Sequence, residues 1–281
     1  MPPERVVIVG AGRAGTGVGL ALAAAGIPTG FLSRRPVPVI GDSPAWRSTD
    51  PAAPRTPAVY FLAVPDARIV EVASDLIAKG FLVEGSIVGH LSGALPADLL
   101  DPVAGELPVF SAHPLLAFPP PNPPRPMPAG TTVMIEGQPE AVAVVTPLLK
   151  MAGAAVAPIR PDKKALYHAA AVLCSNMPAA LMWAAADLFK ECGVPQSVAA
   201  SARLMGSLAS NVAQAPFGST VTGPFSRGDG ATITANLEAL RAASPELADL
   251  YLRLGGRLAD LLRDGRILSE RTWKETKERL I

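Results

Sequence analysis

With 281 residues, 49% of them hydrophobic, the chain is long enough for about two domains and apolar enough for a large buried core. Its net charge of +1, with no long run of one sign, gives no reason to expect nucleic acid or an anionic membrane as a partner. Two cysteines, Cys174 and Cys192, exclude a disulfide framework and make a reducing cytoplasm the expected location.

The chain opens Met-Pro-Pro-Glu-Arg, which lacks the pattern of a signal peptide. Val6-Val7-Ile8-Val9 follows at once and reads as a buried parallel strand. It runs into Gly10-Ala11-Gly12-Arg13-Ala14-Gly15, a G-x-G-x-x-G turn that opens a helix. In that pattern Gly10 makes the tight turn and Gly12 admits a pyrophosphate to the backbone. Gly15 lets the helix pack closely on the strand. The free N–H groups and positive end of such a helix suit a phosphate, so a dinucleotide is expected here. The helix should stop near Gly26.

A second strand is expected over 27–32, ending in Ser33-Arg34-Arg35. NAD enzymes usually carry Asp or Glu at this place to bind the ribose hydroxyls. A hydroxyl and two guanidiniums suit a phosphate instead, so the expected cofactor is NADP.

Further strands are expected over 58–64, 86–90 and 108–113, with a helix of apolar period from Ile69 to Ile77 between the first two. Strands alternating with helices give a parallel, doubly wound sheet, whose ligands bind beyond the carboxyl ends of the strands. Val64-Pro65-Asp66, His90-Leu91-Ser92 and His113-Pro114 all fall at such ends. The proline-dense stretch 118–128 can be neither helix nor central strand and reads as a stiff surface loop. A strand over 131–136, a helix over 139–151 and a short strand over 155–159 complete the half. The boundary is expected near Arg160, giving an NADP-binding domain over 1–160 and a helical substrate and dimerisation domain over 161–281.

From Lys163 the period is helical, with segments near 162–192, 195–214, 230–242 and 245–279. The alanine-rich stretch 165–186 contains His168 and Pro178 and reads as a buried helix pair rather than a bilayer span. Helical spacing puts Lys164, His168 and Ser175 on one face, flanked by Tyr167 and Asn176. A polar stripe on a buried helix needs partners, because unpaired burial is costly. Farther on, Thr222-Gly-Pro-Phe-Ser-Arg227-Gly-Asp229-Gly-Ala-Thr232 forms a loop that leads into a helix. Asp229 or Thr232 can cap that helix, and Arg227 can receive a substrate carboxylate or pair with Asp229.

The three histidines, His90, His113 and His168, all lie in these stretches. They suggest a metal site, but the nucleotide motif accounts for the pocket, and no metal is expected. A hydrolytic triad through Ser92 and His113 lacks the G-x-S-x-G elbow.

Taken in order, GAGRAG, Val-Pro-Asp at 64–66, His-Leu-Ser-Gly at 90–93, Ser-Ala-His-Pro-Leu at 111–115, Tyr-His-Ala-Ala-Ala-Val followed by Ser175-Asn176, and the loop 222–232 resemble one family. It is the NADP oxidoreductases that join a Rossmann-like domain to a C-terminal helical domain of unknown function. That family is similar in architecture to hydroxyisobutyrate dehydrogenases and to pyrroline-5-carboxylate and ketopantoate reductases. The resemblance implies an α/β doubly wound Rossmann sheet followed by an all-α domain. It also implies hydride transfer from NADPH to a carbonyl or imine carbon, with a lysine on the first interdomain helix giving the proton. Lys164 matches that lysine by position. Where the hydroxy-acid dehydrogenases carry Lys-x-x-x-Asn, this chain has His168, so the acid stays open between Lys164 and His168. Ser175 and Asn176 would orient the substrate. A homodimer and a small 2-oxo acid such as ketopantoate are expected. Imine reduction, use of a deazaflavin, and NADP sensing without turnover are the alternatives.

Overall fold

The computed structural model describes residues 5–33, 43–47, 50, 53, 55–120, 123–216 and 220–280. Arg34 and Arg35 lie outside them. The apolar run Val6–Val9 forms the central strand β1, with all four residues buried. Such a run fits a strand covered on both faces. Around it lie β2 (Thr29–Ser33), β3 (Ala45–Arg47), β4 (Val59–Leu62), β5 (Ile87–His90), β6 (Val109–Pro114), β7 (Thr132–Gly137) and β8 (Ala155–Pro158). They make one eight-stranded sheet in the order β3-β2-β1-β4-β5-β6-β7-β8. The order reverses at β1, the doubly wound arrangement whose switch point opens a crevice beyond the strand ends.

Alternation along β1 divides the core. Val6 and Ile8 join one apolar cluster, and Val7 and Val9 join the other. On the first face pack helices α1 (Arg13–Ala24) and α4 (Pro139–Met151), through Val18, Leu22, Val145 and Leu149. On the second pack α2 (Ile69–Ala78) and the short α3 (Asp101–Ala104), with Ile69, Ala73, Leu76 and Ala104.

Two features of the sheet depart from expectation. β7 runs antiparallel to β6, with Ser111 opposite Glu136. A parallel neighbour needs a crossover, usually a helix, and none occurs among the described residues between Pro114 and Thr132. The proline-dense stretch instead lies against α1. Phe118 packs beside Gly17, Met127 N–H donates to Gly17 C=O at 2.8 Å, and Met127 is buried in the core. It is therefore not merely a surface loop. The second departure is the short edge strand β3, which lies parallel to β2 and has no periodic signal.

The chain divides into two compact units, residues 1–175 and 176–281. The first unit includes α5 (Lys164–Cys174), the first helix after the sheet. The helical segment expected near 162–192 is two helices that meet at Ser175, whose φ of −127° and ψ of −68° are not helical. The polar stripe consequently ends with α5. Two helices are present in the stretch expected to hold a buried pair, but their burial is corrected: Leu166, Leu173, Met177 and Trp183 are exposed. The run Pro161–Glu191 is long and apolar enough to cross a membrane by length and composition, with a mean hydropathy of 1.4 in its most apolar window and 6% of that window buried.

The second unit is helical: α6 (Asn176–Glu191), α7 (Ser197–Gln214), the single turn α8 (Pro224–Arg227), α9 (Gly230–Ala243), α10 (Pro245–Asp264) and α11 (Glu270–Glu278). No strand occurs among its described residues. A small core of Phe225, Ile233, Leu262 and Leu268 holds α8 to α11, while α6 pairs with α7.

Candidate active site

Gly10 adopts φ +105°, and a side chain there would meet the Ala63 carbonyl. The turn therefore needs glycine. A Cβ on Gly15 would strike the Gly10 carbonyl, which is the close helix–strand approach that the motif predicts. Gly12 is the N-cap of α1 and offers no side-chain cap to the free N–H groups, and no acid lies in the first turn, which starts Arg13-Ala14-Gly15. Nothing lies within 4 Å of the place where a Gly12 side chain would begin. Such an open, amide-rich helix start accepts a phosphate.

A cavity of about 580 Å³ opens from this turn, lined by Gly10, Gly12, Ser33, Val64, Pro65 and Arg68 among others. Its apolar walls, Leu32, Val72 and Leu76, suit a flat aromatic base. Five residues expected at the cofactor, Gly10, Gly12, Ser33, Val64 and Pro65, thus line one cavity. The residues present fit a dinucleotide.

Polar side chains gather at the ends of β5 and β6. Lys164 opens α5 and is only 1% exposed. Its Nζ donates to Ser111 Oγ at 2.7 Å and to the Ser92 carbonyl at 3.1 Å, and lies 3.9 Å from Glu136 Oε1. Glu136 Oε1 also accepts from Ala97 N–H at 2.8 Å. Burial pulls the Lys164 ammonium below its ordinary pKa, opposed by Glu136 and Asp66. Burial pushes the Glu136 carboxyl up, opposed by the Ala97 N–H and by Lys164. Buried ions of opposite sign require this mutual support.

Ser92 is knitted into its own turn. Its Oγ donates to Asp66 Oδ2 at 2.8 Å and accepts from the N–H groups of Ala94 and Leu95. His90 is fully buried. Its Nδ1 accepts from Ser92 N–H at 3.2 Å, so the proton sits on Nε2, 3.1 Å from the Pro96 carbonyl. Both ring nitrogens are occupied by backbone, so His90 braces the turn. Burial lowers its pKa to about 4.

One turn beyond Lys164 stand Tyr167 and His168. Tyr167 Oη and His113 Nδ1 are 2.8 Å apart. The His113 ring meets the His168 ring edge to face, with centroids 5.7 Å apart. His168 Nδ1 is buried without a hydrogen-bond partner. Both rings rest against Gly93: a Cβ there would lie 2.5 Å from His168 Nδ1 and 2.9 Å from His113 Nε2. Burial, His168 and Lys164 together lower the His113 pKa to about 4. Burial raises that of Tyr167 to about 12.

Of the remaining expected residues, Ser175 closes the first unit, and Asn176, Arg227 and Asp229 belong to the second. Ser175 is exposed, and its Oγ donates to the Ala171 carbonyl at 2.7 Å. Asn176 begins α6 and is exposed. Asp229 caps α9, accepting from Thr232 N–H at 3.1 Å and Thr232 Oγ1 at 2.7 Å, while Arg227 is exposed nearby. Reading the sequence missed Ser111, Glu136 and Gly93 as members of the cluster. Glu136 had left a signal: an acid within the β7 strand, directly after its apolar run Val133–Ile135. Among the described residues no group of three metal-ligating side chains occurs.

Family comparisons agree with this architecture. Residues 2–114 match the Rossmann-like domain, and residues 131–258 match a domain of unknown function, DUF2520. The chain carries these two domains in that order. No protein of curated function is similar to it in sequence. Among solved structures, a proposed NADP oxidoreductase from Bacteroides fragilis is 22% identical with a TM-score of 0.68, matching 91% of this chain and 98% of its own. A protein from Thermotoga maritima gives the same identity and score over 92% and 99%. A Plasmodium falciparum pyrroline carboxylate reductase with NADP bound is 12% identical, with a TM-score of 0.59 over 99% and 100%. These likenesses establish the fold.

Proposed function

We propose that this protein is an NADP-dependent oxidoreductase that moves a hydride between NADPH and the carbonyl of a small 2-oxo acid, ketopantoate-like in size. The observation that carries this reading lies within the first unit: an amide-rich glycine turn opens on a dinucleotide-sized cavity, and His113 at the end of β6 meets Tyr167 and His168 of α5 beside Gly93. Similar folds whose names include NADP support it. Bound NADPH supplies the hydride. The backbone around Gly12 holds the pyrophosphate. Ser33 ends β2 where an acid would favour NAD, and Arg34 and Arg35 follow it in sequence.

His168 is the proton donor in this reading. Lys164 has its N–H groups engaged with Ser92, Ser111 and Glu136, so it serves as a strut that fixes the first turn of α5. Ser92 holds the turn beside the reacting group. Ser175, Asn176 and the exposed Arg227 are assigned to the substrate through the family resemblance, Arg227 by its fit to a carboxylate.

A homodimer is part of the proposal. Leu181 and Trp183 on α6, and Leu204, Leu208 and Val212 on α7, are exposed apolar side chains of the kind an interface covers. A second copy suits them better than a bilayer, because the apolar run is broken at Ser175 and tied down at Lys164. Cys174 and Cys192 are free and exposed, which suits the reducing cytoplasm proposed for the chain.

The test is NADPH oxidation against a panel of 2-oxo acids, aldehydes and imines, beside titrations with NADPH and NADH. Tighter NADPH binding and turnover of a 2-oxo acid are expected, and His168→Gln should lower kcat by about 100-fold with NADPH affinity kept. Equal affinity for NADH removes the NADP assignment. Unchanged turnover in His168→Gln removes the donor.

A further inference from the structure

His113 and Tyr167 carry one more step, which rests on the reductase reading above. We propose that Tyr167 locks His113 as an Nε2–H hydrogen-bond donor to the oxygen of the substrate, so that the site takes carbonyl compounds and turns away iminium ones.

The lock follows from the contact between Tyr167 Oη and His113 Nδ1, 2.8 Å apart. A phenol is a better donor than acceptor, and an imidazole nitrogen with a free lone pair is a strong acceptor. The phenol keeps its proton at any physiological pH, because burial holds its pKa near 12. Tyr167 therefore donates, Nδ1 accepts, and the single proton of the neutral ring sits on Nε2. The ring is neutral near pH 7, since burial and the neighbouring His168 and Lys164 all oppose its charging.

The Nε2 edge lies at Gly93, the one residue type that leaves the space in front of it unfilled. His168 packs against the same glycine, so a reacting group entering here meets two imidazoles. A carbonyl oxygen brings lone pairs that an N–H can bind, and its hold tightens as negative charge develops. A reactive iminium nitrogen brings no lone pair, and a secondary one turns its own N–H toward the His113 N–H. A donor facing a donor leaves both unsatisfied in a dehydrated site. Tyr167 acts through His113 and is a positioning residue.

The lock is read without turnover. Full-length protein labelled with nitrogen-15 at histidine gives ring spectra in which the His113 signals are assigned by their loss in His113→Gln. The wild type should show the Nε2–H form, and Tyr167→Phe should relax it to a mixture. An Nδ1–H ring in the wild type, or an unchanged ring in Tyr167→Phe, overturns the lock. The substrate half is read by NADPH oxidation with ketopantoate and pyruvate against pyrroline-5-carboxylate. Carbonyls should be favoured at least about tenfold in kcat/KM, and Tyr167→Phe should lower kcat more than it raises KM. Faster reduction of the imine overturns it. Oxidation with neither class counts against the reductase reading itself, a failure the ring spectra keep separate.

Discussion

His90 shows how one side chain ties stability to pH. It is fully buried, with Nδ1 accepting from Ser92 N–H and Nε2 beside the Pro96 carbonyl. Its folded pKa is about 4 against an ordinary value of 6.5. Between those values the unfolded chain binds the proton and the folded chain does not, so stability falls as pH drops through that window. The contribution is full above about pH 6.5, and roughly 2 kcal/mol of it is lost by pH 5. Urea unfolding of wild type and His90→Gln at pH 7 and pH 5 checks this, and the variant should show the shallower dependence. The same arithmetic applies to His113, also lowered to about 4, which places both rings in the neutral state during turnover. Which histidine braces and which faces the site was beyond the sequence, because His90 and His113 both sit at strand ends and His168 follows on a helix whose neighbours spacing does not give. Only the positions of Ser92 N–H, Tyr167 and Gly93 separate them.

At the scale of elements, packing between α1 and the proline-dense stretch is set by one missing side chain. A Cβ on Gly17 would lie 2.5 Å from the Phe118 ring. Gly17→Ala should therefore cost about 1–3 kcal/mol through overpacking, despite the better helix propensity of alanine. Combining it with Phe118→Ala should return part of that loss, giving a coupling of at least about 0.5 kcal/mol in a double-mutant cycle. Additive effects would show that the ring moves aside freely. Most elements were legible because their signals are local. The Val6–Val9 run, the glycine turn and the 69–77 period need only neighbouring residues to explain them. What escaped depends on distant partners. The antiparallel turn of β7 follows from a connection with no helix among its described residues, and β3 is held by its parallel register with β2, Phe31 opposite Ala45. The break at Ser175 falls on Cys174-Ser175-Asn176, weak helix formers ahead of Pro178, yet spacing alone projects the polar stripe onward.

For the whole molecule, the division at 175/176 puts Lys164, Tyr167 and His168 with the sheet unit. The glycine turn and the imidazole pair are thus built on one scaffold, and rigid elements hold such constellations better than loops do. The exposed apolar side chains of α6 and α7 give the oligomeric prediction. Sedimentation or light scattering should report twice the 29.0 kDa chain mass, and Trp183→Glu with Leu208→Glu should shift it to one. A monomeric wild type would remove the dimer. The fold class could be read from the alternation of strands and helices followed by helices alone. The partner surface could not, since a stripe of leucine and alanine looks alike whether it faces a core or another chain.

Lys164 is the only buried lysine among the described residues, shielded at the edge where α5 meets β5 and β6. An acylating reagent applied to the native protein will mark the other described amines and pass this one by. Its labelling would then time how often that edge opens, a direct clock on the local breathing of the fold.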